Sequence, residues 1–218
     1  DSVGVANAYT MLSRGNWQTG HIDQAHFYLN EAAIRFERSG CRRGLAEVWN
    51  TRGELARAIG DLETAESAYM EAKERYESCG SDSAAYSKLN LGSTWVNAGK
   101  FRQAKNILDS LEAELLVANR PHVLLVTRLT RTICLIDAGE WKRVEQDLLD
   151  FGPELTRIGL VDTDVATNSR LAAMACEVAN KPALAQLAWR ITHNQLKALG
   201  KTEEANKVEA RLGVSPTS

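Results

Sequence analysis

Proline is scarce in this 218-residue chain, at four, and aromatic residues make up only 6%. With Ala, Leu, Glu and Arg abundant, that bias excludes a sheet-rich domain and favours helices. There is no excess charge of either sign: the formal net charge is −2, with acids and bases well mixed. Neither a nucleic-acid polyanion nor an anionic membrane is implied as partner. No window approaches eighteen consecutive apolar residues, so no transmembrane helix is expected. The start, DSVGVANAYTML, lacks a basic segment leading into an apolar core, so we expect no signal peptide. It begins with Asp1 rather than Met, from which we expect a fragment of a longer protein. Cys41, Cys79, Cys134 and Cys176 are far apart and make no CxxC. Free thiols in a reducing cytoplasm are the expectation.

The sequence is equally poor in chemistry. Around His21, His26, His122 and His193 there is no HExxH, HxH or Cys/His cluster, so no metal is expected. Phosphate-cradling glycine motifs and GxSxG are missing, so neither a nucleotide cofactor nor a nucleophile elbow is read. Acid pairs such as Asp162/Asp164 lie ahead of a helical segment, where capping explains them. Cys134 and Cys176 sit on apolar stripes and read as small core residues, not nucleophiles. We therefore expect no catalytic residue, no cofactor and no enzymatic activity in this chain.

What the sequence does contain is repetition. TGHIDQAHFYLNEAAIRFERSG aligns over IGDLETAESAYMEAKERYESCG, bringing Gly20 onto Gly60, Ala25 onto Ala65, Phe36 onto Tyr76 and Gly40 onto Gly80, always 40 apart. AGKFRQAKNILDSLEAELLVAN, AGEWKRVEQDLLDFGPELTRIG and ANKPALAQLAWRITHNQLKALG continue the series. The turn positions 20, 60, 99, 139 and 180 are spaced 40, 39, 40 and 41. Each copy predicts two helices, A before the turn and B after it. The turn Gly or Asn ends helix A in a left-handed conformation, and Gly40, Gly80, Asn119, Gly159 and Gly200 do the same for helix B. Asp61-Leu62 and Lys100-Phe101 restart the chain. Ala65, Ala68, Tyr69, Ala72 and Tyr76 form the buried stripe of a helix B, leaving Glu63, Glu71, Lys73 and Glu74 to solvent. Small residues recur at Ala25, Ala65, Ala104 and Ala185, and at Ser13, Gly53, Gly92 and Ala173, where helices A and B should approach closely. Gly152-Pro153 should kink or restart the fourth helix B.

A hairpin with a small residue in helix A, an Ala twelve on and a large apolar residue four beyond resembles the tetratricopeptide repeat (TPR). Trp49, Gly53, Ala65, Tyr69 and Ala72 carry that likeness in copy two; Leu91, Gly92, Trp95, Ala104 and Leu108 carry it in copy three. The period exceeds the standard 34 and is similar to the long-helix variety. Arg52 replaces the usual Leu, Thr132 and Val144 replace small residues, and the terminal Pro is absent.

The resemblance implies an all-α superhelix, a TPR solenoid of about five hairpins over residues 1–218. Its repeats fall near 5–44, 45–83, 84–123, 124–164 and 165–201, with a capping helix over 202–212 started by Thr202 and closed by Ala205, Val208 and Leu212. Val214 to Ser218 should fray. The phrases RGELARAIGDLETAESAYMEA, LNLGSTWVNAGKF, GLVDTDVA and ALGKTEEANKVEARLG are also similar to the C-terminal repeat tails of large bacterial signalling proteins carrying a Ser/Thr kinase or ATPase region.

In the TPR family the concave groove is lined by helix A. Carried over, it comprises Asn7, Thr10, Arg14 and Trp17; Glu47, Asn50, Glu54 and Arg57; and Tyr86, Leu89, Ser93 and Val96, flanked by Asn90 and Asn97. Copies four and five contribute Val126, Leu129, Ile133 and Ile136, then Thr167, Arg170, Met174 and Glu177. The peptide-binding residues expected are Arg14, Trp17, Glu47, Asn50, Glu54, Arg57, Tyr86, Asn90, Ser93 and Asn97. Asn amides suit an extended backbone and Arg a carboxylate. The apolar fourth copy reads as core or as a covered face. The clamp used for EEVD peptides is not reproduced, so chaperone binding is not expected. The resemblance thus implies a non-catalytic scaffold for a protein or peptide, with no nucleic-acid or membrane partner. The alternatives are a ligand-sensing domain that changes superhelix curvature, with a pocket around Trp17, Arg57 and Tyr86, and a self-associating module, a possible homodimer.

Overall fold

The computed structural model describes residues 2–212, and the tail segment expected to fray lies outside them. Eleven α-helices and no strand occur among the described residues. They run α1 (Ser2–Gln18), α2 (Ile22–Ser39), α3 (Arg42–Ala58), α4 (Leu62–Ser78), α5 (Ala84–Asn97), α6 (Phe101–Val117), α7 (Pro121–Asp137), α8 (Trp141–Ile158), α9 (Thr163–Val178), α10 (Pro182–Ala198) and α11 (Thr202–Arg211). The chain divides into two compact units, Asp1–Lys100 and Phe101–Ser218, so the division falls between α5 and α6. No helix among the described residues is long and apolar enough to cross a membrane.

The punctuation is where the repeat placed it. Backbone φ is positive at Gly20, Gly40, Gly60, Gly80, Gly99, Gly139, Gly159 and Gly200, and at Asn119 and Asn180. Each of these ends a helix, and the amides beyond bond back into its last turn, as Gly60 N–H does to Arg57 O at 3.1 Å and Asp61 N–H to Ala56 O at 2.9 Å. Restart chemistry is also visible. Asp61 accepts from the Thr64 amide, and Asp162 accepts from the amides of Asp164 and Val165.

In the first unit α1 packs on α2 and α3, α2 on α3, α3 on α4, and α5 on α3 and α4. The core is the predicted stripe: Ala25, Leu29, Ala32 and Phe36 on α2, and Ala65, Tyr69, Ala72 and Tyr76 on α4, are buried. Two glycines set how closely helices approach. A β-carbon on Gly53 would fall 2.6 Å from Cε1 of Tyr69, so the hairpin α3/α4 closes only without one. A β-carbon on Gly44 would fall 2.2 Å from Cδ1 of Phe36, the ring of the preceding hairpin. The sequence singled out Gly53 but not Gly44.

In the second unit α7 packs on α6, α8 and α9, and α10 on α8, α9 and α11. Helix α7 is buried nearly all round, including Val126, Leu129, Ile133 and Ile136. Its buried charged residue, Arg131, lies against Asp109 at 3.5 Å, Asp147 at 3.2 Å and Glu112, while Thr132 donates to Asp147 at 3.2 Å. Glu112 also receives Arg128 at 2.6 Å. The carboxylates come from α6 and α8, so one guanidinium ties three helices together.

Two expectations are corrected. Pro153 neither ends nor restarts its helix; α8 runs unbroken from Trp141 to Ile158. Proline removes the amide that would bond to Leu149 O, and Leu149 is an exposed residue, 51% accessible. Thr202 is the first helical residue rather than the cap; the cap position is Lys201, which makes no side-chain cap bond. The capping helix still covers its neighbour with Ala205 and Val208. It is held by Arg211, 3.3 Å from Glu177 and 5.0 Å above the Trp189 ring.

Candidate functional site

The sequence-predicted peptide-binding residues lie on α1, α3 and α5, all in the first unit, while the groove residues carried over for copies four and five lie on α7 and α9 in the second. Four of them meet. Arg14 Nη2 stands 2.5 Å from Glu47 Oε1, and its Nε stands 3.3 Å from Glu54 Oε2. Glu47 and Glu54 are seven residues apart, two turns along one face of α3, which is why one guanidinium on α1 spans both. Asn50 lies between them and donates to Glu54 Oε1 at 2.8 Å. Its carbonyl in turn accepts from Ser87 Oγ on α5 at 3.0 Å. The second oxygen of Glu47 accepts from the Tyr76 hydroxyl on α4.

This chain of bonds fixes the three A helices side by side. Burial and pairing also shift the proton affinities of its members. Desolvation raises the Glu54 pKa, and the attraction of Arg14 offsets part of that rise. Burial works against the Arg14 cation, but Glu54 and Glu47 outweigh it and its pKa rises. Burial, followed by donation to Glu47, pushes the Tyr76 hydroxyl pKa upward, so the hydroxyl stays protonated as a donor.

The remaining predicted residues are not drawn into this network. Trp17 packs against the α1/α2 core with Ala25, Leu29 and Phe36, and its indole Nε1 is buried without a partner among the described residues. Ser93 is buried on α5, Asn90 is half-buried, and Asn97 is exposed. Tyr86 is 47% exposed. Arg57 is half-buried on α3, close enough for its charge to act on Glu54, yet its guanidinium makes no ion pair or hydrogen bond among the described residues. The side-chain amides of Asn90 and Asn97 likewise have no partner there.

Arg14 therefore differs from its predicted role. It is not an open clamp for a ligand carboxylate, because two protein carboxylates already occupy it. Open polar groups of this surface include Arg57, Asn90 and Asn97. Two participants were missed by sequence reasoning. Tyr76 was read only as a core aromatic, and Ser87 only as part of helix A. A signal existed for Ser87, which adjoins the predicted groove residue Tyr86, whereas Tyr76 lies on helix B, away from the predicted groove positions. Their partners, however, lie 29 and 37 residues away.

The two buried thiols, Cys134 and Cys176, are pushed up to about 12 and about 11 by burial. Elsewhere, a cavity of about 220 Å³ in the second unit is lined by Leu155, Leu160, Val161, Ile191 and Gln195, among others. Its buried amide is already committed. Gln195 donates to Leu160 O at 3.0 Å and accepts from the Asp162 amide at 3.0 Å, clamping the α8–α9 loop onto α10.

Comparison with known proteins places the architecture. No family model matches the sequence, and no curated protein matches it. Solved structures do match in three dimensions. BtubC (BKLC) from P. vanneervenii aligns with a TM-score of 0.66 at 15% identity, covering 100% of this chain and 85% of that one. A Podosopora anserina chain of nearly identical TPR-like repeats, of kinesin light chain type, aligns at 0.62 and 12% identity, covering 91% and 98%. PilW, a widely conserved type IV pilus biogenesis factor, aligns at 0.63 and 16% identity, covering 95% and 92%. The fold is therefore an all-α, TPR-like helical repeat. At these identities the likeness speaks for the fold alone.

Proposed function

We propose that this chain is a non-catalytic interaction scaffold that takes an extended peptide across α1, α3 and α5 of its first unit. One observation carries the reading. The network from Arg14 to Ser87 uses up the charged groups at the centre of the helix-A surface, while Arg57, Asn90 and Asn97 keep polar groups without partners among the described residues. Rigid support beside open donors is what a preformed binding surface requires. Arg57 takes an acidic side chain or chain-terminal carboxylate of the ligand. The amides of Asn90 and Asn97 bond its backbone, and the exposed ring of Tyr86 supplies apolar contact.

The fold of the aligned TPR-like chains supports the scaffold reading in general. The similarity of several phrases to repeat tails of bacterial signalling proteins supports a regulatory setting, with a cytoplasmic partner. The test is affinity capture from lysate of the source organism, with wild type and Arg57→Glu as parallel baits quantified by mass spectrometry. A protein retained by wild type and depleted by Arg57→Glu supports the surface. Equal capture by both baits rejects it. Arg14→Glu is unsuitable here, because it would place a third carboxylate against Glu47 and Glu54 and damage the fold.

A further inference from the structure

The repeat predicts more contact for α1 than α1 has. Residues 4, 8, 11 and 15 stand forty positions before 44, 48, 51 and 55, in the same frame that pairs Ser13 with Gly53. On α3 all four later positions are buried: Gly44, Val48, Thr51 and Leu55. Gly44 seats the ring of Phe36 from α2, and Val48 and Leu55 share one core cluster with Leu29, Ala32 and Phe36. The step recurs once more, with Tyr76 of α4 packed in a cluster with Ala84 at the start of α5. On α1 the same four positions, Gly4, Ala8, Met11 and Gly15, are all exposed. Met11 is 71% exposed, and the flanking Val5 and Leu12 are 47% exposed each.

The face is also uncharged. The sole ionisable side chain on α1 apart from the Tyr9 hydroxyl is Arg14, and it is turned to Glu47 and Glu54. An uncharged row of small and apolar side chains along one helix face matches the surface that α3 offers to α2.

We infer that the outer face of α1 is a docking surface for an amphipathic helix of the α2 type, carrying an aromatic side chain that seats on Gly4 as Phe36 seats on Gly44. The interface between α2 and α3 supplies the template, and the forty-residue register supplies the place. The occupant is the second helix of a further hairpin of this repeat class. The side of that helix laid on α1 is uncharged, because nothing on this face pairs with a charge. Packing here extends the stack by one step and covers Met11, Val5 and Leu12.

The probe is a helix-stapled, fluorescein-labelled peptide with the α2 sequence Ile22–Ser39, titrated with the whole chain and followed by anisotropy. The account predicts saturable binding. It predicts at least tenfold weaker binding for the Phe36→Ala peptide, and for protein variants Gly4→Leu, which fills the seat, and Ala8→Glu, which charges the face. Both protein changes lie on an exposed helix face and leave melting unchanged or raised for Gly4→Leu. Absence of saturable binding overturns the inference, as does binding indifferent to Phe36, Gly4 and Ala8. So does a concentration-dependent dimer in sedimentation that Ala8→Glu abolishes, since the face would then belong to a second copy of the chain.

Discussion

Arg14 and Glu54, forty residues apart in sequence, meet at 3.3 Å, and the same guanidinium holds Glu47 at 2.5 Å. Helix α1 is thereby pinned to α3 by one cation between two acids, with burial still pushing the Glu54 pKa up. A raised pKa means that the folded chain binds this proton at higher pH than the unfolded chain. Stability from this group therefore falls as pH rises through its folded pKa and levels off above it. Glu54→Gln removes that loss while Glu47 keeps Arg14 paired. We expect the variant to lie within about 1 kcal/mol of wild type, or above it, at pH 8. Its advantage should shrink on acidification. Urea melts at several pH values measure this; an advantage that grows toward acid contradicts it.

The close seats at Gly44 and Gly53 predict a sharp contrast with an open glycine. Gly44→Ala and Gly53→Ala drive a β-carbon into the rings of Phe36 and Tyr69, and each should cost roughly 1–3 kcal/mol. Gly15 meets nothing within 4 Å. Gly15→Ala in the same kind of helix should be neutral or stabilising by up to about 1 kcal/mol. Denaturant midpoints of the three variants decide the matter.

Arg131 should be the most sensitive charged residue of the second unit. Arg131→Ala leaves Asp109, Glu112 and Asp147 facing one another without their shared cation. A loss of about 3–5 kcal/mol is expected. The same change at exposed Arg157, paired with Glu154 at 2.7 Å, should leave melting essentially unchanged. Thermal melts of the two variants side by side test the contrast.

The thiols should divide into two classes. Cys79 is exposed and Cys41 intermediate, whereas Cys134 and Cys176 are buried and their pKa values are pushed up to about 12 and about 11. At pH 8 a thiol reagent should label Cys79 first and leave Cys134 and Cys176 unmodified until the protein unfolds. Mass spectrometry of the labelled peptides reads the order directly.

Much of the fold was legible because left-handed backbone demands particular residues. Gly20, Gly60 and Asn180 mark helix ends in sequence for the same steric reason that their φ angles are positive in the structure. Gly53 was legible through its fixed spacing to Ala65. The restart expected at Gly152-Pro153 does not occur, since α8 continues through Pro153, and whether a mid-helix proline ends a helix depends on the packing around it, which sequence does not state. The site was legible as a surface, not as a network. The family resemblance placed Glu47, Asn50 and Glu54 together on the helix-A surface. That Arg14 would be spent on two of them, and that Tyr76 and Ser87 would complete the bonds, depends on how successive helices rotate against each other. Arg131 stayed hidden for the same reason: its partners come from α6 and α8, and nothing local marks the residue as buried.

The most direct test of the scaffold reading is a selection from a random library of extended peptides, with wild type as bait and Arg57→Glu as counter-bait. The account predicts enrichment of peptides with an acidic residue or a free C-terminal carboxylate at a fixed position. Those peptides should bind Arg57→Glu at least tenfold more weakly and lose affinity again in Asn90→Ala/Asn97→Ala, with melting of both variants unchanged. No enrichment, or enriched peptides that bind wild type and Arg57→Glu alike, would contradict it.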